Sequence, residues 1–233
     1  MATVSTMRLD EQAWPDVDLM HPVLCVPVGS CEQHGPHLPL GTDTIIAVAL
    51  ADELADRRAD VVVAPALAMT ASGEHSGFAG TVSIGTDVTA ATVIELARSA
   101  DWADGVVLVN GHGGNREAID RAVATLRAEG RDVLAWWPTA QMADAHAGHA
   151  ETSMMLALRP DLVRVERAVS GETAPVAALM GQLRAGGVVA VSPNGVLGDP
   201  AGATAAEGAS LVREMADDLA LAFDGWRRAR AGR

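Results

Sequence analysis

The alternation of apolar and amphipathic segments is the feature that most restricts how this chain can fold. Short apolar runs are followed by longer segments whose apolar residues recur with the period of a helix. This alternation is typical of strand-helix-strand units around a largely parallel sheet. The segments predicted as buried strands are Val23–Val28, Val61–Leu67, Val106–Asn110, Val133–Trp137 and Val188–Val191.

The segments between these runs predict the helices that cover the sheet. They are Thr44–Arg58, Thr89–Ala100, Arg116–Glu129, Glu151–Leu158, Val176–Arg184 and a longer helix over Thr204–Arg228. The chain has 233 residues, of which 49% are hydrophobic and 20% are charged, as in ordinary globular proteins. We therefore expect one α/β domain over residues 1–233.

Charge and missing residue types exclude several functions. The formal net charge is -13, which argues against nucleic acid as a partner. All 17 basic residues are Arg, and the chain has neither Lys nor Tyr. A Schiff-base Lys, a P-loop Lys and a catalytic Tyr are therefore excluded. His, Asp, Glu, Cys, Ser and Thr remain for catalysis and metal binding.

The sequence predicts a cytoplasmic protein without a membrane span. The longest uncharged stretch, Ala185–Gly198, contains Pro and is shorter than the roughly 20 apolar residues that cross a bilayer. The stretch MATVSTMRLDEQAWPD has no apolar core after a basic start, so we expect no secretory signal. Cys25 and Cys31 are too few and too close to suggest a disulfide framework.

The loop after the first predicted strand carries candidate metal ligands. Glu32 and His34 are two residues apart, so on an extended segment both side chains point the same way. Asp43 opens the next helix, where it either caps backbone amides or reaches back to the same ion. Carboxylate and imidazole ligands suit Zn, Mn or Fe(II). A Glu-x-His pattern by itself is also common in ordinary polar loops.

Three further segments bring polar residues to the same end of the predicted sheet. His112 follows a strand and is surrounded by Gly, His146 precedes a helix whose first turn contains Glu151, and Glu74 and His75 are adjacent in a flexible loop. Open parallel sheets bind ligands at the carboxyl ends of their strands. The four segments together predict a metal centre and hydrolysis by metal-activated water.

A cysteine hydrolase is an alternative to the metal-dependent hydrolase. Cys31 is near His34 in the sequence, and a Cys nucleophile requires an adjacent base. No other pattern in the chain marks a Cys-His pair. Retained activity in a Cys31→Ser protein would exclude this alternative.

Several stretches resemble the creatininase, or creatinine amidohydrolase, family. The stretches VPVGSCEQHGPHLPLGTDT, SGEHSGFAGTVSIGT, VNGHGGN and DAHAGHAETS occur in family order between about Val23 and Ser153. A further stretch, GVVAVSPNGVLGDPAGA, extends the likeness into the C-terminal third. Together they are most similar to the branch whose members are peptidases in the maturation of mycofactocin, a ribosomally made redox cofactor.

This resemblance implies a centre of two divalent metal ions, with Zn, Fe(II) or Mn as the candidates. The matching positions are Glu32, Asp43 and His112 for one ion, and His34 with a bridging Asp43 for the other. The family's remaining Glu ligand falls at Gly114, so the second ion lacks a ligand. We predict that Glu151 replaces it.

The resemblance also implies catalytic and substrate-binding residues. His146 matches the family's candidate proton donor, and Ser72 corresponds to a substrate contact. Creatininase has an aromatic side chain where Gly113 stands, which argues against a creatinine pocket. We predict that Gly113 and Gly114 leave room for an extended peptide.

The fold implied by the family is a three-layer α/β/α sandwich with a mostly parallel central sheet, in a ring-like homo-oligomer. The implied substrate is a precursor peptide whose final Val-Tyr pair has been modified, and hydrolysis releases the modified dipeptide. Two alternatives remain. One is an amidohydrolase acting on creatinine, a formamide or a lactam, and the other is a non-catalytic metal-binding scaffold for the maturation enzymes.

Overall fold

The central element is a parallel sheet, as the sequence predicts. A computed structural model of the chain describes residues 6–138 and 144–232. The strands are β1 Val23–Val28, β2 Val61–Val63, β3 Val106–Asn110 and β4 Val133–Trp136. All neighbouring strands pair in parallel, in the order β2-β1-β3-β4. The two central strands are buried along their whole length.

Seven α-helices accompany the strands in the described residues. They are α1 Trp14–Met20, α2 Thr42–Arg57, α3 Thr86–Ser99, α4 Arg116–Ala128, α5 His149–Leu158, α6 Val176–Gly186 and α7 Ala205–Ala231. The sequence predicts all of these except the short α1. Thr204 caps α7, because its hydroxyl accepts a hydrogen bond from the backbone N–H of Glu207 at 3.2 Å. No helix in the described ranges has the length and apolar character needed to cross a bilayer.

Alternating residues of the sheet pack against helices on opposite faces. Val23 and Cys25 of β1 lie in one apolar cluster with α2, α5 and α7. Leu24 and Val26 lie in a second cluster with α3 and α4. Successive strand residues point to opposite faces, so a continuous apolar run is covered on both sides. The predicted three-layer α/β/α sandwich is therefore confirmed.

The predicted fifth strand, Val188–Val191, is wrong. Residues Val188–Ala190 form a 3-10 helix directly after α6. Gly187 turns the chain with a φ of +67°, and the backbone N–H groups of Val191 and Ser192 both donate to the carbonyl of Val188. These local bonds occupy groups that a strand would pair with a neighbour. A short apolar run does not by itself distinguish the two outcomes.

Two glycines let the ends of β1 and β3 approach the start of α2. A Cβ atom at Gly29 would overlap Thr44, and one at Gly111 would lie 2.5 Å from the carbonyl oxygen of Asp43. Contacts this short cannot be tolerated, so only glycine permits the close packing. The result is that Asp43 lies beside the residues that follow both strands.

Candidate metal centre

Five buried side chains converge at the carboxyl ends of the central strands. They come from the loop after β1, the first turn of α2, the loop after β3 and the first turn of α5: Glu32, His34, Asp43, His112 and Glu151. The most exposed of them, Glu151, is only 8% exposed. Four of them, all except the fully buried His34, line a cavity of about 1220 Å³. The sequence predicts each of them as a metal ligand, and the structure brings all five together.

The first group consists of Glu32, Asp43 and His112. The Nε2 atom of His112 lies 3.1 Å from Oε2 of Glu32, and its Nδ1 atom lies 3.0 Å from Oδ2 of Asp43. One donor atom from each residue lies within 4.8 Å of the other two. Two carboxylates and an imidazole at these separations could hold a divalent ion.

The second group consists of His34, Asp43 and Glu151. The Nε2 atom of His34 lies 3.0 Å from Oδ1 of Asp43 and 3.9 Å from Oε2 of Glu151. These donors also lie within 4.8 Å of one another. Asp43 thus belongs to both groups, with Oδ2 directed to the first and Oδ1 to the second. This is the arrangement of a carboxylate that bridges two ions.

Hydrogen bonds to backbone carbonyl oxygens determine which ring nitrogen of His34 and His112 carries a proton. His34 Nδ1 lies 3.2 Å from the carbonyl oxygen of Glu32, and His112 Nε2 lies 2.9 Å from that of Ala71. A carbonyl oxygen only accepts, so these ring nitrogens carry the protons. In the neutral ring that can bind a metal ion, the bare nitrogen is therefore Nε2 of His34 or Nδ1 of His112, and both atoms face Asp43. Metal-binding histidines are commonly fixed in this way.

The surroundings of Glu32 test whether a cation suits the site. Its two carboxylate oxygens are buried, and neither accepts a hydrogen bond within the described part of the chain. Burial, and then the Asp43 carboxylate, raise the pKa of Glu32 to about 8. A buried carboxylate without partners is costly. A metal ion bound to these oxygens would remove that cost, so the residues present fit the family's metal centre.

The charges of the cluster favour cations as well. Burial lowers the pKa of His34 and His112, but Asp43 and the neighbouring glutamates outweigh it and raise the two values to about 10 and about 9. Burial tends to raise the pKa of Asp43, but the two imidazoles hold it well below its usual range. Burial also raises the pKa of Glu151 to about 7. Three carboxylates around two imidazoles thus stabilise positive charge.

His146 and His75 lie beside the two groups. The ring centroid of His146 is 4.3 Å from that of His34 and 4.5 Å from that of His75. The Nδ1 atom of His146 is 3.9 Å from Oε1 of Glu32. His146, Glu32 and His34 form a third possible ion-binding group. The geometry alone therefore allows His146 either as proton donor or as ligand.

The glycines after His112 have different surroundings. A Cβ atom at Gly113 would meet no atom within 4 Å, so this residue borders open space in the cavity. A Cβ atom at Gly114 would overlap Oε1 of Glu74 and Nε2 of His112, and would lie 2.8 Å from the carbonyl oxygen of Ala71. Position 114 thus has no room for a side chain.

This difference predicts the effect of adding one methyl group at each position. We expect Gly114→Ala to lower the free energy of unfolding by about 1–3 kcal/mol through overpacking and, because it displaces His112, to reduce turnover about tenfold or more. Gly113→Ala is the matched control, and we expect its turnover to stay within about twofold of the unmodified protein. Metal content and turnover of the two variants check this, and equal effects would contradict the packing argument.

The other candidate residues lie around this centre. Glu74, His75 and Trp137 line the cavity. Ser72 is fully buried and is not one of the described residues that line it. Trp136 is buried, and its indole N–H donates to Asp218 at 2.8 Å, as a core residue would.

The structure does not place a base beside Cys31. Its Sγ atom lies 3.7 Å from the carbonyl oxygen of Gly80, and no described ring nitrogen is its hydrogen-bond partner. A cysteine nucleophile needs a base within hydrogen-bond reach. The geometry therefore gives the cysteine hydrolase no support.

Comparison with known proteins identifies the family to which the chain belongs. The profile of the family described as "Creatininase: Creatinine amidohydrolase" matches residues 10–223. The chain belongs to the creatininase family. The mycofactocin precursor peptide peptidase of Mycolicibacterium smegmatis is 53% identical over 222 residues, covering 91% of this chain and 89% of that protein. The creatinine amidohydrolase of Pseudomonas putida is 33% identical over 178 residues, covering 63% and 68%.

Solved creatininase structures share the fold over nearly the whole chain. A mutant creatininase of Zn-Zn type matches with a TM-score of 0.74 and 25% identity, covering 92% of this chain and 95% of that one. A structure named "Creatininase Mn" matches with a TM-score of 0.72 and 25% identity, covering 93% and 97%. The predicted creatininase-like fold is confirmed.

Proposed function

We propose that this creatininase-family protein is a metal-dependent peptidase that cleaves an amide bond near the C-terminus of a modified ribosomal precursor peptide. The reaction releases the dipeptide derived from Val-Tyr in mycofactocin biosynthesis. The observation that carries this proposal is the position of four of the five donor residues in the lining of a cavity of about 1220 Å³, with the fifth, His34, buried directly behind Asp43. Small-molecule pockets typically measure about 300–1,000 Å³. The 53% identity to a mycofactocin precursor peptide peptidase supports the same substrate.

The lining of the cavity also suits a peptide. Its outer wall includes Trp137, Met180 and Leu183, which could receive apolar side chains of the substrate. Gly113 leaves open space next to His112. An extended chain could therefore reach the ligand cluster without displacing a side chain at position 113.

The proposed centre holds two divalent ions. Glu32, Asp43 and His112 would hold one ion, and His34 and Glu151, together with Asp43, would hold the other. When bound, such ions act as Lewis acids and lower the pKa of water toward neutrality. Zinc and manganese are candidates because they are named for related creatininases, and Fe(II) is suited by the same donor types.

His146 is the proposed proton donor to the leaving amine. The backbone carbonyl of Gln33 lies 2.8 Å from Nε2 of His146, so this nitrogen carries a proton and Nδ1 faces the ligand cluster. Burial, and then the neighbouring His34 and His75, hold the pKa of His146 well below its usual range. Nδ1 would accept the proton that the attacking water loses and would pass it to the leaving nitrogen as the C–N bond breaks, which a low pKa of the imidazole favours.

Glu151 is proposed to replace the ligand that Gly114 cannot supply. Its Oε2 atom accepts a hydrogen bond from the backbone N–H of Ala147 at 2.6 Å, which aims the carboxylate toward His34. We expect Glu151→Gln to retain one ion and lose the other, because an amide is a weaker ligand than a carboxylate. Metal analysis of the purified protein checks this, and two tightly bound ions in the variant would remove Glu151 from the ligand set.

Product analysis tests the proposed function. The metal-loaded protein is incubated separately with modified precursor peptide, unmodified peptide, creatinine and a formamide, and the products are identified by mass spectrometry. We expect release of the modified dipeptide and no conversion of creatinine or the formamide. Turnover of a small amide alone would favour the small-molecule amidohydrolase. Peptide binding without turnover would favour the metal-binding scaffold.

The proposal also includes the domain organisation, the location and the oligomeric state of the protein. We propose a single metallohydrolase domain over residues 1–233, consistent with the family match over residues 10–223. We also propose a cytoplasmic location. Both cysteines are free thiols, which is the state that a reducing compartment maintains. A homo-oligomer is supported by the apolar side chains of Trp14 and Leu19 on α1, which are 79% and 82% exposed.

A further inference from the structure

The side chain of Gln33 contacts two histidines of the centre at once. It is only 5% exposed, and the sequence patterns assign it no role. Its Nε2 atom lies 2.9 Å from Nδ1 of His75, 3.0 Å from Nε2 of His146 and 3.0 Å from the carbonyl oxygen of Gly195. The amide nitrogen carries only two protons, so it cannot donate to all three.

Backbone groups fix the orientation of this amide. The backbone N–H of Gly35 donates to Oε1 of Gln33 at 2.9 Å, while Nε2 donates to the carbonyl of Gly195. The reverse orientation would place donor against donor and acceptor against acceptor. A Cβ atom at Gly195 would overlap the Gln33 amide, so glycine permits this approach. One N–H of Gln33 is thus committed to Gly195, and one remains.

The remaining N–H is directed to His75. Nε2 of His146 lies 2.8 Å from the carbonyl oxygen of Gln33, so it carries a proton and cannot accept one from the amide. Nδ1 of His75 is then the acceptor, and the single proton of a neutral His75 is on Nε2. That atom lies 3.3 Å from Oε1 of Glu32.

We propose that Gln33 is a positioning residue. Its side-chain amide holds His75 as the Nε2–H tautomer, with that N–H next to Glu32. The backbone carbonyl of Gln33 accepts the N–H of His146 at Nε2, so the unprotonated Nδ1 of His146 faces the centre. The N–H of His75 then lies 3.3 Å from Oε1 of Glu32, a buried carboxylate whose oxygens accept no regular hydrogen bond among the described residues. Partners that orient metal ligands in this way control affinity and activity. The His75 assignment depends on geometry alone, and only the use of His146 Nδ1 in proton transfer rests on the proposed function.

Nitrogen-15 NMR of metal-free protein labelled in histidine measures these tautomers, because the chemical shift of a ring nitrogen depends on whether it carries a proton. We expect the Nε2–H form of both His75 and His146 in the unmodified protein. In Gln33→Glu the carboxylate accepts but cannot donate, so we expect a proton on Nδ1 of His75 and an unchanged His146. Spectra of His75→Asn and His146→Asn assign the signals.

Gln12→Glu is the matched control, since Gln12 contacts the backbone of Arg8 away from the centre, and we expect it to leave both tautomers unchanged. A proton on Nδ1 of His75 in the unmodified protein would overturn the proposal, and this measurement needs no variant to fold. An unchanged His75 in Gln33→Glu would overturn it as well. Because the protein is metal-free, these results do not depend on peptidase activity.

A kinetic measurement then tests the positioning role. In the metal-loaded enzyme we expect kcat of Gln33→Glu to fall by about tenfold to a hundredfold, with KM unchanged. A kcat equal to that of the Gln12→Glu control would contradict the role.

Discussion

Asp43→Asn is expected to bind neither ion stably and to lose hydrolytic activity by at least about a hundredfold. Asp43 is 2% exposed and contributes one carboxylate oxygen to each of the two donor groups. An amide has one oxygen and no charge, so it cannot hold two cations together. Inductively coupled plasma analysis of the purified variant, with the hydrolysis rate, measures both effects.

Asp56→Asn is the matched control. Asp56 lies on the same helix α2 but is exposed, and within the described ranges it accepts one side-chain hydrogen bond, from Thr6 at the surface. We expect it to retain both ions and full activity. The bridging role of Asp43 would be wrong if Asp43→Asn retained two ions. Circular dichroism distinguishes loss of metal from loss of fold.

The His146→Ala enzyme is expected to retain both ions and to lose turnover by about a hundredfold to ten-thousandfold, which is the usual contribution of a positioned proton donor. Nδ1 of His146 lies 3.9 Å from Oε1 of Glu32, beside both donor groups. The test is a pair of measurements on the same preparation, namely metal content and kcat.

His149→Ala provides the comparison on the neighbouring turn. The His149 side chain is partly exposed and pairs with Glu207 at 2.6 Å, outside the cavity lining. We expect little change in its metal content and kcat. If His146→Ala lost an ion together with its activity, His146 would belong to the ligand set through the group that it forms with Glu32 and His34.

The strand and loop patterns predict the location of the site because its candidate ligands lie just after strands or in the first turn of a helix. His112 comes two residues after β3, and Asp43 lies in the first turn of α2. Parallel strands with helical crossovers bring such positions to one edge of the sheet. These patterns indicate where polar side chains converge, whereas the family resemblance assigns the individual ligands and the fold gives the distances between them.

The contacts of Gln33 and Gly114 could not be predicted in the same way. Gln33 meets His146 and Gly195, which are 113 and 162 residues away in the chain. The space at Gly114 is limited by Glu74, which comes from another loop. Such contacts depend on tertiary packing rather than on local periodicity. The error at Val188–Val191 has a different origin, because a short apolar run does not distinguish a strand from the 3-10 helix that local hydrogen bonds form after Gly187.

Anomalous diffraction from crystals of the zinc-loaded protein, recorded at the zinc edge, tests the central claim most directly. We predict two peaks on either side of Asp43. One peak should contact Glu32, Asp43 and His112, and the other should contact His34, Asp43 and Glu151. A single peak, or a second peak held by Glu32, His34 and His146, would contradict the proposed two-ion centre.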